Sequence, residues 1–147
     1  MATIRTWTIN RKSLLLATAV LLSLSMACCK KDTCQSVFGE GGVIDLSLPE
    51  YYDLNTIGNA VVINRGHKGI VITQLTNNTF VAFECACPND NDQRMLATDD
   101  WGYSILTCPI CGAQYNSLDG TPITASISAC MLYEYSTSID SQMLYVW

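Results

Sequence analysis

Short apolar runs separated by turn residues make up most of the chain from residue 43 onward. The alternation of Ile44, Leu46 and Leu48 predicts a half-buried strand at residues 43–48. Runs rich in β-branched and aromatic residues predict further strands at residues 59–64, 69–75, 80–84 and 103–106. Glycine- and asparagine-rich stretches such as "RGHKG" and "TNNT" separate these runs and predict turns.

The end of the chain continues this pattern. Apolar runs at residues 130–136 and 142–147 predict a closing hairpin, and "PEYYDLN" predicts no more than one helical turn. No segment after residue 28 keeps a 3.6-residue apolar period. Short strands at regular spacing therefore predict one all-β domain, a sandwich or barrel, at residues 43–147.

The first 27 residues follow a different pattern. Three basic residues, Arg5, Arg11 and Lys12, precede an almost uncharged apolar run at residues 13–27. This run is shorter than the roughly 20 residues that a membrane-spanning helix requires. Basic residues, a short apolar stretch and small residues at its end are typical of a secretory signal. We therefore predict that residues 1–27 are a cleaved signal peptide.

The end of this segment, "LSMAC", resembles the lipobox of bacterial lipoproteins. The resemblance implies that Cys28 becomes the lipidated first residue of the mature protein, with Cys29 as the alternative. An ordinary secretory signal is the competing interpretation. The lipoprotein interpretation implies a bacterial cell-envelope protein, lipid-anchored and extracytoplasmic, in the periplasm or at the cell surface. The polar residues 28–42 would then tether the anchor to the domain.

The charge of the chain limits its partners. All 13 acidic residues and only five of the eight basic residues follow residue 28, which leaves a net charge of −8. No basic patch is visible along the chain, so nucleic acid is not an expected partner. An acidic domain also gains nothing from anionic lipids. The predicted lipid anchor is therefore the expected means of membrane contact.

Four of the eight cysteines stand in two short pairs, C-x-C and C-x-x-C, each directly after a predicted strand. They are Cys85, Cys87, Cys108 and Cys111. Loops at one end of a sheet are common places for binding sites. Four thiols at this spacing can hold an iron–sulfur cluster or a structural zinc ion. In an oxidising compartment they can instead pair as disulfides.

The stretch from "FVAFECACP" to "ILTCPICGAQYNSLDGT" resembles the Rieske [2Fe–2S] family, which carries C-x-H in one loop and C-x-x-H-G in another. Cys85 and Cys108 match the two cysteine ligands of that family. Cys87 and Cys111 stand where its two histidines belong. The second loop and the following turn are matched by Pro109, Gly112, Tyr115, Asp119 and Gly120.

This resemblance implies a Rieske-like all-β fold with two cysteine-bearing loops at one end. It also implies a [2Fe–2S] cluster held by four cysteines and electron transfer with a redox partner protein. Replacing both histidines by thiolates should lower the potential toward the value of about −400 mV found in plant-type ferredoxins. A structural zinc ion is the alternative cofactor, and disulfides would leave a module without redox chemistry.

Other residues add little to the chemistry. Cys34 and Cys130 are a possible disulfide, His67 is expected in an exposed turn, and residues 90–102 are expected to form a solvated acidic loop. The chain shows no catalytic triad, phosphate-binding loop or spaced carboxylate pair. We therefore do not expect an enzyme on its own, although a role as an electron-transfer component stays open.

Overall fold

A computed structural model describes residue 34 and residues 37–99, 102–124 and 129–147. The predicted signal segment and both candidate lipidation sites, Cys28 and Cys29, lie outside these described residues. Apart from one 3-10 helix at Pro49–Asn55, all regular secondary structure in the described part is β-strand, which confirms the all-β prediction. The described part contains no helix that is long and apolar enough to cross a membrane.

Twelve strands occur among the described residues, and all pairings between them are antiparallel. In chain order they are β1 (Gly42–Asp45), β2 (Ala60–Ile63), β3 (Ile70–Thr76), β4 (Thr79–Glu84), β5 (Ala86–Cys87), β6 (Asp90–Arg94), β7 (Leu96–Asp99), β8 (Gly102–Thr107), β9 (Gln114–Asn116), β10 (Glu134–Tyr135), β11 (Thr137–Asp140) and β12 (Met143–Val146). The central sheet has the order β10-β4-β3-β2, and a second sheet has the order β1-β12-β11. Two smaller sheets, β5-β6 and β7-β8-β9, carry the cysteine loops.

The central sheet is buried on both faces, which explains the almost unbroken apolar sequence of β3. Ile70 and Ile72 point to one face, and Val71 between them points to the other. The first face packs against the β1-β12-β11 sheet. This first core comprises Ile44, Leu46, Leu54, Ile63, Ile70, Ile72, Phe80, Ala82, Tyr135, Leu144 and Val146.

The opposite face of the central sheet packs against the two small sheets. This second core comprises Ala60, Val71, Phe83, Cys85, Cys87, Met95, Leu106, Cys108, Ala113, Tyr115 and Leu132, with Cys111 packed against it. Alternation along β4 and the residues after it places Phe83, Cys85 and Cys87 on this side. The alternation of the sequence thus places Cys85 and Cys87 in the interior of the domain.

Two sequence expectations were wrong in detail. The closing hairpin joins β11 to β12, while β10, from the run expected to form that hairpin, pairs with β4. Ser141 adopts a φ of 58° in the two-residue turn between β11 and β12, so the chain reverses later than the apolar pattern indicated. The acidic stretch expected as a solvated loop contains β6 and β7, because Met95 between them is buried in the second core.

The residues just before β1 contact the folded domain. The Gly39 N–H donates to the hydroxyl oxygen of Tyr135 at 3.1 Å, and the carbonyl oxygen of Glu40 accepts from the Gly66 N–H at 2.9 Å. Cys34 forms a disulfide with Cys130, with the two Cα atoms 5.5 Å apart. The described end of the predicted tether is therefore attached to the domain by both hydrogen bonds and a covalent bond.

Candidate metal centre

The first cysteine loop continues directly from β4. Cys85 and Cys87 are separated by one residue in extended backbone, so both side chains turn toward the second core. The Cys85 N–H donates to the carbonyl oxygen of Gly69 at 2.8 Å, and the Cys85 carbonyl accepts from the Met95 N–H at 2.9 Å. Neighbouring strands thus hold the backbone of this loop from both sides.

The second cysteine loop is a tight turn between β8 and β9. The Cys108 carbonyl accepts from the Gly112 N–H at 3.0 Å, and the Cys108 N–H donates to the Ala113 carbonyl at 2.9 Å. Gly112 has a φ of 72°, a conformation that favours glycine. This requirement explains the glycine directly after the C-x-x-C pair, because the turn brings Cys111 back toward Cys108.

The two loops bring three thiols together. The Sγ atoms of Cys87, Cys108 and Cys111 all lie within 4.8 Å of one another, and those of Cys87 and Cys111 are 3.6 Å apart. A tetrahedral metal with bonds of about 2.3 Å needs ligand atoms about 3.8 Å apart. The geometry therefore suits metal ligation.

The fourth predicted ligand, Cys85, is not part of this three-sulfur set, although it is buried in the same core. None of the four loop cysteines forms a disulfide in the structure.

Burial and hydrogen bonds shift the thiol pKa values of Cys87 and Cys111 in opposite directions. Burial raises the pKa of Cys87 to about 12, although the backbone N–H groups of Asn89 and Asp90 donate to its sulfur. Burial also acts to raise the pKa of Cys111. There it is outweighed by hydrogen bonds from the Ala113 N–H and from the neighbouring Cys108, Cys87 and Asn89 side chains, so the pKa is lowered. Cys111 is the more exposed thiol of this pair and the one that more readily carries a negative charge.

Cys85 lies in the least polar surroundings. Burial raises its pKa to about 12, an effect that the nearby Arg94 cation opposes and the Glu84 carboxylate reinforces. Without a metal, Cys85 and Cys87 are therefore protonated at neutral pH. A bound cation would provide the positive charge that their thiolate forms need, so binding would release protons.

The surroundings of the site exclude water on one side and admit it on the other. Phe83, Met95 and Leu106 are almost completely buried beside the thiols. Ile110, between the two cysteines of the second loop, is instead 66% exposed. The site is thus apolar on its inner side and ends close to the protein surface at the tip of this loop.

A buried carboxylate next to the first loop was not anticipated from the sequence. Glu84 is 1% exposed and accepts from the Tyr135 hydroxyl at 2.7 Å. It also accepts from three backbone N–H groups, those of His67, Lys68 and Ala86. Its position offered a signal, because an acidic residue ends the apolar run "FVAFE" in register with the inward-facing Phe80 and Ala82.

No protein-family model and no curated protein match the chain. Among solved structures, it is similar to a chain of the complex of reduced oxygenase and oxidised ferredoxin in carbazole 1,9a-dioxygenase. The identity is 19% and the TM-score 0.42, over 62% of this chain and 82% of that chain. It is also similar to the ferredoxin of carbazole 1,9a-dioxygenase from Nocardioides aromaticivorans IC177. There the identity is 12% and the TM-score 0.41, over 76% of this chain and 97% of that chain.

Likenesses at this level assign no function to the chain. What the described residues define is an all-β protein with a cluster of three cysteines that can hold a metal ion.

Proposed function

We propose that Cys85, Cys87, Cys108 and Cys111 hold a [2Fe–2S] cluster and that the protein transfers single electrons. The observation that carries the proposal is the 3.6 Å separation between the Cys87 and Cys111 sulfurs, which come from two different loops. The arrangement brings thiols together in an apolar interior where none of them is oxidised to a disulfide.

The particular pair that lies closest supports a cluster of Rieske type. In Rieske centres the two histidines share one of the two irons. By the sequence resemblance, Cys87 and Cys111 occupy those histidine positions and should therefore share one metal. Their separation of 3.6 Å is near the value of about 3.8 Å expected for two ligands of one tetrahedral metal.

By the same resemblance, Cys85 and Cys108 would share the second iron of the cluster. A [2Fe–2S] cluster takes its protein ligands in two pairs, so four sulfurs need not converge on one point. A closed zinc site would require all four sulfurs within a single tetrahedron. Cys85 lies outside the set formed by the other three, so it would have to approach Cys108 to complete either the cluster or a four-cysteine zinc site.

The chain itself supplies ligands, hydrogen bonds and an apolar enclosure. Backbone N–H groups of Asn89, Asp90 and Ala113 point at the sulfurs of Cys87 and Cys111, and such hydrogen bonds stabilise negative charge on sulfur. The second core keeps water from the inner side of the site. When bound, a [2Fe–2S] cluster accepts and releases one electron, and with four thiolate ligands we expect a low potential.

The cellular setting is part of the same proposal. We propose that residues 1–27 are a lipoprotein signal, that lipidated Cys28 anchors the protein, and that residues 28–42 lead to a Rieske-like domain at residues 43–147. The protein would then exchange electrons with a partner protein at the bacterial cell envelope, outside the cytoplasm. The tip of the second loop, at Ile110, is exposed, so the site lies close to a surface that such a partner could contact.

A single zinc ion is the second candidate, and one observation favours it. The sulfurs of Cys87, Cys108 and Cys111 alone lie within 4.8 Å of one another, which fits three ligands of one metal. Such an ion would tie the two loops together and would carry no electrons.

The test is the metal and sulfide content of the full-length protein purified without oxygen. We expect two irons and two acid-labile sulfides per chain. The Cys111→Ser variant should lose both, whereas a matched variant with Cys34→Ser and Cys130→Ser should keep them. One zinc per chain without sulfide would establish the second candidate instead, and a metal-free wild-type protein would refute both.

A further inference from the structure

The few lysines and arginines of the folded domain line the same pocket. After Lys31 the acidic chain has only three lysines or arginines, which are Arg65, Lys68 and Arg94. All three line a single pocket of about 350 Å³, together with the chain's one histidine, His67. Arg94 reaches this pocket from a part of the chain distant from the other three residues.

The turn that carries most of these residues has a fixed conformation. It joins β2 to β3 and contains Gly66 and Gly69, with φ values of 72° and 112°. The Glu84 carboxylate beneath it accepts the backbone N–H groups of His67 and Lys68, both at 2.8 Å. A Cβ atom at Gly66 would come within 2.5 Å of Glu84 Oε2, so glycine is required for this close approach. The backbone that carries Arg65 and Lys68 is thus held in place. The Arg65 side chain extends toward Gly42, where an added Cβ would be 3.4 Å from its Nε.

Arg94 completes the pocket from β6. Its guanidinium lies close to Gly69, where an added Cβ would be 3.4 Å from Nη2. The guanidinium donates to the side-chain oxygen of Asn64 at 3.4 Å, which is a weak contact. The lack of a side chain at Gly69 leaves room for Arg94 at the rim of the pocket.

Among the side chains that the structure describes, these cations form no ion pair. No carboxylate among the side chains that the structure describes lies within 4.0 Å of the charged groups of Arg65, Lys68 or Arg94. The nearby Glu84 is buried and its two oxygens are occupied by four hydrogen bonds. Three cations outnumber this one carboxylate, so a bound anion would reduce the repulsion among them.

We propose that this pocket binds a small oxyanionic molecule through its phosphate or carboxylate groups. Arg94 offers a planar fork that matches either group with paired hydrogen bonds, and Arg65 and Lys68 add two further positive charges to the pocket lining. The volume falls within the range of roughly 300–1,000 Å³ found for small-molecule sites. The peptide N–H groups of His67 and Lys68 are already used by Glu84, so recognition falls to the side chains. This pocket shares no residue with the cysteine cluster, although the Arg94 cation lies near Cys85.

The test is isothermal titration calorimetry of the full-length protein with pyrophosphate and, separately, with citrate. The variants Arg65→Gln, Lys68→Gln and Arg94→Gln each remove one charge from the pocket. The control Gln142→Glu changes the net charge by the same amount in the exposed turn between β11 and β12. It preserves side-chain size, so it isolates the effect of overall charge. Circular dichroism checks that every variant is folded.

We expect saturable binding of one ion per chain, weakened at least about tenfold by each folded pocket variant and less than about twofold by the control. Tighter binding of pyrophosphate would identify a phosphate-bearing ligand, and tighter binding of citrate a polycarboxylate; either result supports the site. Absence of binding of both ions at about 10 mM would overturn the proposal, because such an affinity is too weak for a built site. Equal weakening by Gln142→Glu would overturn it too, since the binding would then reflect net charge alone.

Discussion

The two cores of this protein lie on opposite faces of one sheet, yet they contain different kinds of side chain. The first core joins a four-stranded and a three-stranded sheet through aliphatic and aromatic side chains. The second core is backed by sheets of two and three strands and includes three buried cysteines, with Cys111 at its edge. A thiol buries less apolar surface than leucine or phenylalanine does, so the second core gains less from burial.

This difference indicates which of the two cores is stable without a bound metal. The first core resembles the interior of an ordinary sandwich, in which apolar burial is the main stabilising force. In the second core, burial keeps the thiols of Cys85 and Cys87 protonated. A bound metal would replace these protons. We infer that the first core is stable by itself and that the second reaches full stability only with a metal bound.

Metal removal should produce the largest effect and should separate the behaviour of the two cores most clearly. In the metal-free protein we expect amide hydrogens of β5, β6 and β9 to exchange at least about a thousandfold faster, because a ligand at 1,000 times its dissociation constant adds about 4.1 kcal/mol. Amides of β3 and β12 should change far less. Hydrogen-exchange mass spectrometry measures both regions in one sample, and equal acceleration throughout would show that the two cores are not independent.

The next largest effect should come from the disulfide that attaches the segment before β1. Replacing Cys34 and Cys130 together by serine removes a cross-link that spans a sequence separation of 96 residues. We expect a loss of about 2–4 kcal/mol in the free energy of unfolding, since the unfolded chain becomes less restricted. Urea unfolding measures this loss. The metal content should stay unchanged, and a loss of metal would mean that the disulfide also positions the cysteine loops.

Glu84 lies between the two cores and should show an intermediate effect. In Glu84→Gln an amide group replaces one acceptor oxygen, so two of the four donors around it lose their partner. We expect a loss of about 2–3 kcal/mol, from the cost of leaving buried donors unpaired. The matched variant Tyr135→Phe removes one donor to Glu84 and the acceptor of the Gly39 N–H, and should cost about 1–2 kcal/mol. Unfolding curves that rank these two variants in reverse would contradict the hydrogen-bond account.

The smallest effect is the pH dependence of the free energy of unfolding, which reports on Cys85 in the second core. Cys85 has its pKa raised from 9.0 to about 12, so its neutral form is favoured by folding. That contribution is complete below pH 9 and is lost as the pH rises from 9 toward 12. The metal-free protein should lose about 1 kcal/mol by pH 10 on this account. Urea unfolding at pH 8 and pH 10 measures the change, and Cys85→Ala should reduce it. An identical pH dependence in that variant would exclude Cys85 as the cause.

The local parts of this fold could be predicted from the sequence, and the long-range parts could not. Strands such as β3 and β4 carry their signal in their own apolar residues. The closing partner β11 has the mixed sequence Thr-Ser-Ile-Asp, whose pairing depends on the turn at Ser141 rather than on apolar pattern. Local sequence therefore specified the β-class but not the pairing of the last strands.

The candidate site divides in the same way. The spacing of the cysteines indicated two loops, and the fold brings Cys87, Cys108 and Cys111 together. The separate position of Cys85, the hydrogen bonds of Glu84 and the approach of Arg94 to Gly69 all depend on distant segments of the chain. Spacing along one sequence carries little information about such approaches, because they are decided by how the sheets pack.

The central claim is that the second core is built around a two-iron cluster with four cysteine ligands. Iron X-ray absorption of the full-length protein, purified without oxygen, tests it most directly, because the spectrum reports both the ligand atoms and any neighbouring metal. We predict a first shell of sulfur only and a second iron close to each iron. Nitrogen in the first shell, or iron without a neighbouring iron, would contradict the account.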